Sequence, residues 1–307
     1  MTTQPMTVRL GGHPVRITHP NKVLFPGDGL TKADLVGYYR TVARRMLPHL
    51  RGRPLMLERH PSGTDDPGFM QKDVPDSFPD WIRRVELPKQ GGGSVRYAVC
   101  DDTATLAYLV GQNCTTFHRF LSTADHPDRP DRIVFDLDPP DADFAPVRQA
   151  ALLLRDVLRD LELPSLLMST GSRGLHAVIP LDTGGGADFD QARAFAHDVA
   201  ELLVARRPDA LTIEPRKAAR AGRLYVDVQR NAYAQTAVAP YSLRPLPGAP
   251  IAAPLAWDDI EDPDLTPRRW TLSRADELLR TDPWHNAPRG HSLAAARRRL
   301  TALQQQA

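Results

Sequence analysis

The stretch Ile133-Val134-Phe135-Asp136-Leu137-Asp138 carries two carboxylates in strand spacing. Successive side chains of a strand point to opposite faces, so Asp136 and Asp138 share one face, about 7 Å apart, while Leu137 turns into a core. Carboxylates held that close repel each other, and a divalent cation relieves the repulsion. Leu224-Tyr225-Val226-Asp227-Val228 offers a third acid in the same setting. Three strand-borne aspartates can hold two metal ions for phosphoryl transfer. The plainer reading of any one of them is an Asp that ends a strand or caps a turn.

A second constellation follows, Ser169-Thr170-Gly171-Ser172-Arg173-Gly174-Leu175-His176. Its glycines allow a tight turn that presents N–H groups, Thr170 and Ser172 add hydroxyls, and Arg173 adds a fork matched to phosphate oxygens. His176, on the strand after the turn, points back to the same ligand. The segment therefore reads as a triphosphate cradle beside the metals, although alone it is simply a hairpin. Arg216, Lys217, Arg220 and Arg223 crowd the approach to the Asp227 strand, and Arg244 lies further on. They suit phosphate contacts, against the plainer reading of a solvated basic turn. His118 follows an apolar helix, where a satisfied core histidine is the plainer reading. Towards the N-terminus Lys22, Lys32, Arg51, Arg53, Arg59 and Lys72 alternate with Phe25, Phe69, Phe78 and Trp81. Cations with aromatic platforms suit single-stranded or gapped nucleic acid, diluted here by Glu58, Asp65, Asp66 and Asp73.

These residues need elements to hold them. Val8–Ile17 alternates like one edge strand, and a helix starts at Thr31, with Asp34 at the capping-box position, and runs to Pro48. Residues 51–89, rich in proline, read as a long irregular loop. A strand at Tyr97–Cys100 leads into a helix capped by Asp101 or Asp102 and running through Gln112. After the Asp136 strand come a helix at Ala145–Leu161, a hairpin of Ser165–Ser169 with Leu175–Leu181, a turn at Gly184–Gly186 and a helix at Phe189–Arg206. A strand at Arg223–Gln229, a proline-rich arm at Pro245–Pro254, and helices near Ser273–Thr281 and Ser292–Gln304 complete the pattern. Hairpins mixed with helices make the fold α+β, with mixed or antiparallel sheets flanked by helices.

Composition sets the outer bounds. At 307 residues, with 41% hydrophobic and 25% charged side chains, the chain is neither disordered nor a disulfide scaffold. A net charge of +2 means that any polyanion site arises from local clustering. Lys22, Lys32, Lys72, Lys89 and Lys217 are the only lysines among 39 basic residues. Cys100 and Cys114 have no metal-ligand spacing and read as buried thiols. No apolar run is long enough to span a bilayer, so the expected location is cytoplasmic, at the nucleoid, with no membrane partner.

Together these motifs resemble the archaeo-eukaryotic primase superfamily, most closely the polymerase domain of bacterial DNA ligase D and its stand-alone relatives. The similarity runs from about Ile17-Thr18-His19-Pro20-Asn21-Lys22 to about Trp257-Asp258-Asp259 and includes Lys217-Ala218-Ala219-Arg220-Ala221-Gly222 and Ala239-Pro240-Tyr241-Ser242-Leu243-Arg244. It implies a primase-polymerase that fills short gaps or extends broken DNA ends with NTPs or dNTPs, ribonucleotides preferred, using two Mn2+ or Mg2+ ions. Asp136, Asp138 and Asp227 would be the catalytic metal ligands. His118, Thr170, Ser172, Arg173, His176, Lys217, Arg220, Arg230 and Arg244 would bind the nucleotide. Lys22 and Lys32 would hold a 5′-phosphate across a gap, Phe69 would meet the template, and Arg59 and Lys72 would add DNA contacts. Relatives often carry Lys-Arg-Trp where this chain has Glu58-Arg59-His60, Phe-Phe where it has Phe69-Met70, and Gln where it has Arg230. The first two changes weaken the DNA side.

The expected organisation is a single catalytic domain over residues 1–285, with a DNA-binding portion at about 1–95 and a metal and nucleotide core at about 96–250, then a helical tail over 286–307. No Lys lies in a Lys-x-Asp-Gly ligase motif, so sealing is expected from a separate DNA ligase, with a Ku-type end-binding protein as a further partner. Two alternatives stand beside this reading: a non-catalytic module that binds DNA ends and recruits a ligase, and a manganese-dependent glycosyltransferase built on the Asp-x-Asp pair.

Overall fold

Two six-stranded sheets organise residues 4–89, 91–182 and 186–305, which the computed structural model describes. Each sheet belongs to its own compact unit, one formed by Met1–Phe120, Thr236–Ala253 and Trp270–Thr281, the other by Leu121–Gln235, Pro254–Arg269 and Asp282–Ala307. The α+β expectation is borne out. Among the described residues no helix is long and apolar enough to cross a membrane.

In the first unit the antiparallel order is Thr236–Val238, Cys114–Phe120, Pro54–Arg59, Ser94–Val99, Arg84–Pro88, with Phe69–Gln71 also paired to Pro54–Arg59. Three of these strands lie in the stretch expected to be an irregular loop. Proline hid them: Pro54 opens one strand and Pro88 closes another, both positions where a missing N–H is tolerated. Leu55, Leu57, Ala98 and Phe117 share a buried core with Leu35, Tyr39, Val42 and Met46 of the helix Lys32–Leu50. Thr31 caps this helix, its hydroxyl accepting from the Asp34 N–H while the Asp34 carboxylate accepts from the Thr31 N–H. The helix runs two residues past Pro48, its expected end. In the last turn the ring removes one donor, and Arg51 N still reaches the Leu47 carbonyl. The expected edge strand at Val8–Ile17 is a hairpin, Met6–Leu10 with His13–Ile17, turning on Gly11 and Gly12 at positive φ. Cys100 and Cys114 are buried free thiols, as expected.

In the second unit the order is Leu211–Thr212, Leu224–Asp227, Arg132–Asp138, Leu175–Pro180, Leu166–Ser169, Pro254–Leu255. Only the first pair is parallel. Ile133, Phe135, Leu137, Leu175, Ala177, Leu224 and Val226 share one core with Val147, Ala151 and Leu154 of the helix Ala145–Asp160 and Phe195 and Val199 of the helix Phe189–Arg206. The expected hairpin of Leu166–Ser169 with Leu175–Pro180 is present. The expected turn at 184–186 lies largely outside the described residues. The helix expected at Ser273–Thr281 shrinks to one turn, Ala275–Leu278, after a 3-10 turn at Leu272–Arg274.

Pairing between the Asp136 and Asp227 strands stops after Asp227, and a side chain takes over. Asn231 accepts from the Val134 N–H and donates to the Val134 carbonyl, both at 2.8 Å, and also donates to the Val228 carbonyl at 2.9 Å. Its amide continues the ladder for a strand that would otherwise bury unpaired backbone groups. Asn231→Ala should therefore lower the stability of this unit by about 2–4 kcal/mol, read as a shifted denaturant midpoint. A shift near zero would show that water replaces the amide without loss.

Candidate active site

Strand register in the second unit assembles the acids. Asp136 lies directly opposite Asp227 on one side and directly opposite His176 on the other. Asp138, two residues on, shares the face of Asp136 and stands opposite Tyr225. The alternate residues face the helices, so every polar group of this constellation emerges on the sheet face away from the helical core.

Cations meet Asp136 and Asp138. His176 Nε2 lies 3.5 Å from Asp136 Oδ2, and Arg230 Nε donates to the same oxygen at 3.2 Å. Arg173 and Arg220 each donate to Asp138, at 2.8 and 3.3 Å, one to each oxygen. Arg220 is fixed further by the Glu214 and Pro215 carbonyls and lies 3.9 Å from the centre of the Tyr225 ring. Asp227 Oδ1 accepts from the Gln229 N–H at 2.8 Å and the Tyr225 hydroxyl at 3.3 Å. Burial by itself would raise the Asp136 carboxyl, yet the charge and hydrogen bonds of His176 and Arg230 bring it down to about 2. Burial raises Asp227, helped by the Asp136 charge and opposed by the Gln229 hydrogen bond. Burial and Asp227 push the Tyr225 phenol up to about 12.

Oxygen-only donors on one rigid face suit a hard divalent cation such as Mn2+ or Mg2+. The demand for positive charge at Asp136 and Asp138 is visible in the three guanidiniums that meet them. Among the described residues, the trio of His, Asp and Glu groups whose ligand atoms lie within 4.8 Å of one another is not this one but the exposed His197, Asp198 and Glu201. His176 Nδ1 is buried and has no hydrogen-bond partner among the described residues.

The turn after Ser169 is built from within. Thr170 Oγ1 donates to the Gly174 carbonyl at 3.0 Å and accepts from the N–H groups of Ser172 and Gly174. Gly171 adopts φ +66°, and a Cβ on Gly174 would lie 2.0 Å from the Leu137 carbonyl oxygen, between Asp136 and Asp138 on that strand. Lys217 is exposed in the 3-10 turn Lys217–Ala219.

The remaining candidates lie in the first unit. His118 lies beyond the helix Thr103–Gly111, within the buried strand Cys114–Phe120, where its Nε2 is 3.3 Å from Glu58 Oε2. Glu58 also stands 3.6 Å from His60. Burial works against the Glu58 charge, but His118, followed by Arg244 and Thr116, holds its carboxyl at about 2. Lys22 and Lys32 line one cavity of about 350 Å³ with Thr18, Asn21, Gln112 and Asn113. The Lys32 N–H donates to the Lys22 carbonyl, the Lys32 ammonium to the Thr18 carbonyl, and the Lys22 ammonium to the Pro61 carbonyl. Burial, with the charges of Lys22 and Arg59, lowers Lys32 to about 8. Phe69 and Met70 are 46% and 49% exposed, and the Arg59 guanidinium covers the Phe69 ring at 5.3 Å. Lys72 follows them, exposed.

Glu58, Tyr225 and Asn231 join these clusters without having been singled out as site residues. The alternation of Leu55 and Leu57 with Met56 and Glu58 was the available signal for Glu58. For Tyr225 it was its place two residues before Asp227.

A family model described as the LigD primase-polymerase domain matches residues 31–284. The chain belongs to this family. LigD of Mycolicibacterium smegmatis, a multifunctional non-homologous end joining protein, is 35% identical over 270 residues, which cover 86% of this chain and 35% of that protein. The bifunctional non-homologous end joining protein LigD of Bacillus subtilis is 32% identical over 270 residues, 87% of this chain and 43% of that protein. The chain thus spans less than half the length of these curated relatives. A solved structure, the polymerase domain of Mycobacterium tuberculosis ligase D in complex with DNA, superposes with a TM-score of 0.79 at 32% identity, covering 87% of this chain and 94% of that one. Family membership makes the chain a primase-polymerase domain, a nucleotidyltransferase of metal-dependent type.

Gly174→Ala should displace the Leu137 backbone and with it the spacing of Asp136 and Asp138. Nucleotide addition is expected to fall at least about tenfold while the protein stays folded, since overpacking one site costs roughly 1–3 kcal/mol. Unchanged activity in a primer-extension assay would show that the turn tolerates a side chain.

Proposed function

We propose that this domain carries out template-directed nucleotidyl transfer at gaps or ends of DNA during repair by end joining, with NTPs, ribonucleotides preferred, as substrates. The observation that carries the reading is the row Asp227, Asp136, His176 across three adjacent strands, with Asp138 beside it and three arginines meeting the acids. Asp136, Asp138 and Asp227 would hold two divalent ions, Mn2+ or Mg2+. When bound, the ions lower the pKa of the primer 3′-hydroxyl and stabilise charge on the triphosphate and the departing pyrophosphate.

The chain's own residues do the positioning. Arg173 and Arg220 offer guanidinium forks to triphosphate oxygens, Lys217 adds an exposed ammonium, and His176 donates from the sheet. Thr170 and Ser172 shape the turn that presents Arg173. Arg230 stands where charge on the sugar or phosphate is met. His118 and Arg244 are assigned as nucleotide contacts of the first unit, with Glu58 fixing the His118 ring. Lys22 and Lys32 are assigned to a 5′-phosphate, and Arg59, Phe69 and Lys72 to the DNA strand. A separate ligase would seal the product, a Ku-type protein would bring the ends, and the nucleoid is the place of action.

Asp136→Ala and Asp138→Ala should abolish nucleotide addition to a primer while gel-shift binding of gapped DNA survives. Extension by the double variant would refute the site assignment.

A pH series tests the Lys32 role. The Lys32 ammonium is charged below about 8, so the benefit of a 5′-phosphate over a 5′-hydroxyl should be full near pH 7 and fade as pH rises through about 8. The stability effect has the opposite sign. Because the unfolded chain keeps this proton up to its ordinary value of 10.5, Lys32 favours the folded state progressively more as pH rises between the two values. A 5′-phosphate effect that stays flat from about pH 7 to about pH 9, or that survives Lys32→Gln, counts against the assignment.

A further inference from the structure

We propose that Arg230 is a built-in competitor for the divalent ion at Asp136, so that metal enters only as this guanidinium leaves. The inference rests on the reading that Asp136 holds a divalent ion. Arg230 Nε donates to Asp136 Oδ2 at 3.2 Å, on the oxygen that His176 also approaches. Asp136 is the middle member of the row, directly opposite Asp227, and is therefore the carboxylate that an ion shared with Asp227 would use. A carboxylate oxygen has about two lone-pair sites, and His176 and Arg230 both approach Oδ2, so a metal ion takes this oxygen only at the expense of one of them. An ion placed on the other oxygen of Asp136 would still meet a full positive charge a few ångströms away.

Exposure separates this pair from the Arg220 contact, and the coverage of the acid separates it from the Arg173 contact, since Arg173 is 44% exposed on a carboxylate that is itself 29% exposed. The Arg230 side chain is 39% exposed and reaches a carboxylate that is 14% exposed, so it comes from the solvent side of a mostly covered acid. Arg220, only 12% exposed, is bound by two carbonyls and a tyrosine ring besides Asp138. Arg230 is carried by the short 3-10 turn Gln229–Asn231, whose backbone Asn231 anchors to the Asp136 strand. The turn stays in place while the side chain swings. Negative charge arriving with a nucleotide gives the released guanidinium a new partner, so metal and nucleotide favour each other through one side chain.

The test is Mn2+ binding to the intact chain without nucleotide, followed by the loss of the free-ion electron paramagnetic resonance signal and by calorimetry. Arg230→Gln keeps a polar chain without the charge, and Arg230→Ala is a second neutral variant should the first fold poorly. Both should tighten Mn2+ by about tenfold, the effect of removing one like charge from a partly covered site. Arg230→Lys should stay close to the wild-type affinity. In EDTA the neutral variants should melt no higher than wild type, having lost an ion pair, yet gain more on Mn2+ addition. Asp136→Asn separates the two ideas. If it leaves the Mn2+ affinity unchanged, the assignment of Asp136 as a ligand fails. If it removes binding while both neutral Arg230 variants stay within about twofold of wild type, a change too small for a lost like charge, the competition alone fails. Absence of Mn2+ binding in every form at millimolar concentration overturns both.

Discussion

One strand, Arg132–Asp138, pairs antiparallel with two neighbours at once, and this double register brings Asp227, Asp136 and His176 into a single row. Register in a sheet is all or nothing: a slip of one residue would send the acids into the helical core and Leu137 onto the open face. Ile133, Phe135 and Leu137 prevent the slip because all three must remain buried against the helices. Gly174 and Asn231 guard the two sides of the same strand, one by leaving room for the Leu137 carbonyl, the other by carrying on the hydrogen-bond ladder.

Placing like charges in one row is costly, and the surroundings are built to offset it. His176 and Arg230 bring the Asp136 carboxyl down against its burial, whereas burial, joined by the Asp136 charge, raises Asp227. Adjacent acids with opposite shifts mark a site whose charge is meant to be balanced from outside the sheet. Arginine suits this work, since a planar fork can hold one carboxylate oxygen and still present donors to a phosphate. The net charge of +2 sums 39 basic and 37 acidic residues over the whole chain, so the local pairing of acids with cations does not show in it.

The first unit repeats the same logic with other residues. Leu55 and Leu57 point to the helices, and Glu58 emerges on the far face beside His118. Its second polar feature is the cavity of Lys22 and Lys32, where burial keeps one ammonium weakly basic. Phe69 and Met70 stay exposed on a strand that a core-seeking side chain would normally bury, with Arg59 covering one ring.

Short-range signals were legible in the chain itself. The alternation around Asp136 and Asp227, the Thr31 helix cap and the Gly-Ser-Arg-Gly turn are local patterns, and the structure bears them out because side-chain period and capping depend on neighbours in sequence. The three strands between residues 54 and 88 were not legible: Pro54–Arg59 pairs far along the chain, as Leu57 opposite Phe117 shows, whereas Arg84–Pro88 pairs nearby with Ser94–Val99 and was hidden by the proline that closes it. Nor was the role of Glu58, which looked like a charge diluting a basic surface until the strand bearing His118 was laid against it. Residue types and spacing therefore pointed to the proposed chemistry, carboxylates for a divalent ion and arginines for phosphate, while the proposed 5′-phosphate role of Lys22 and Lys32 came from the family resemblance. Tertiary structure alone decided which carboxylate each cation meets, because pairing register and burial are properties of strands brought together from distant parts of the sequence.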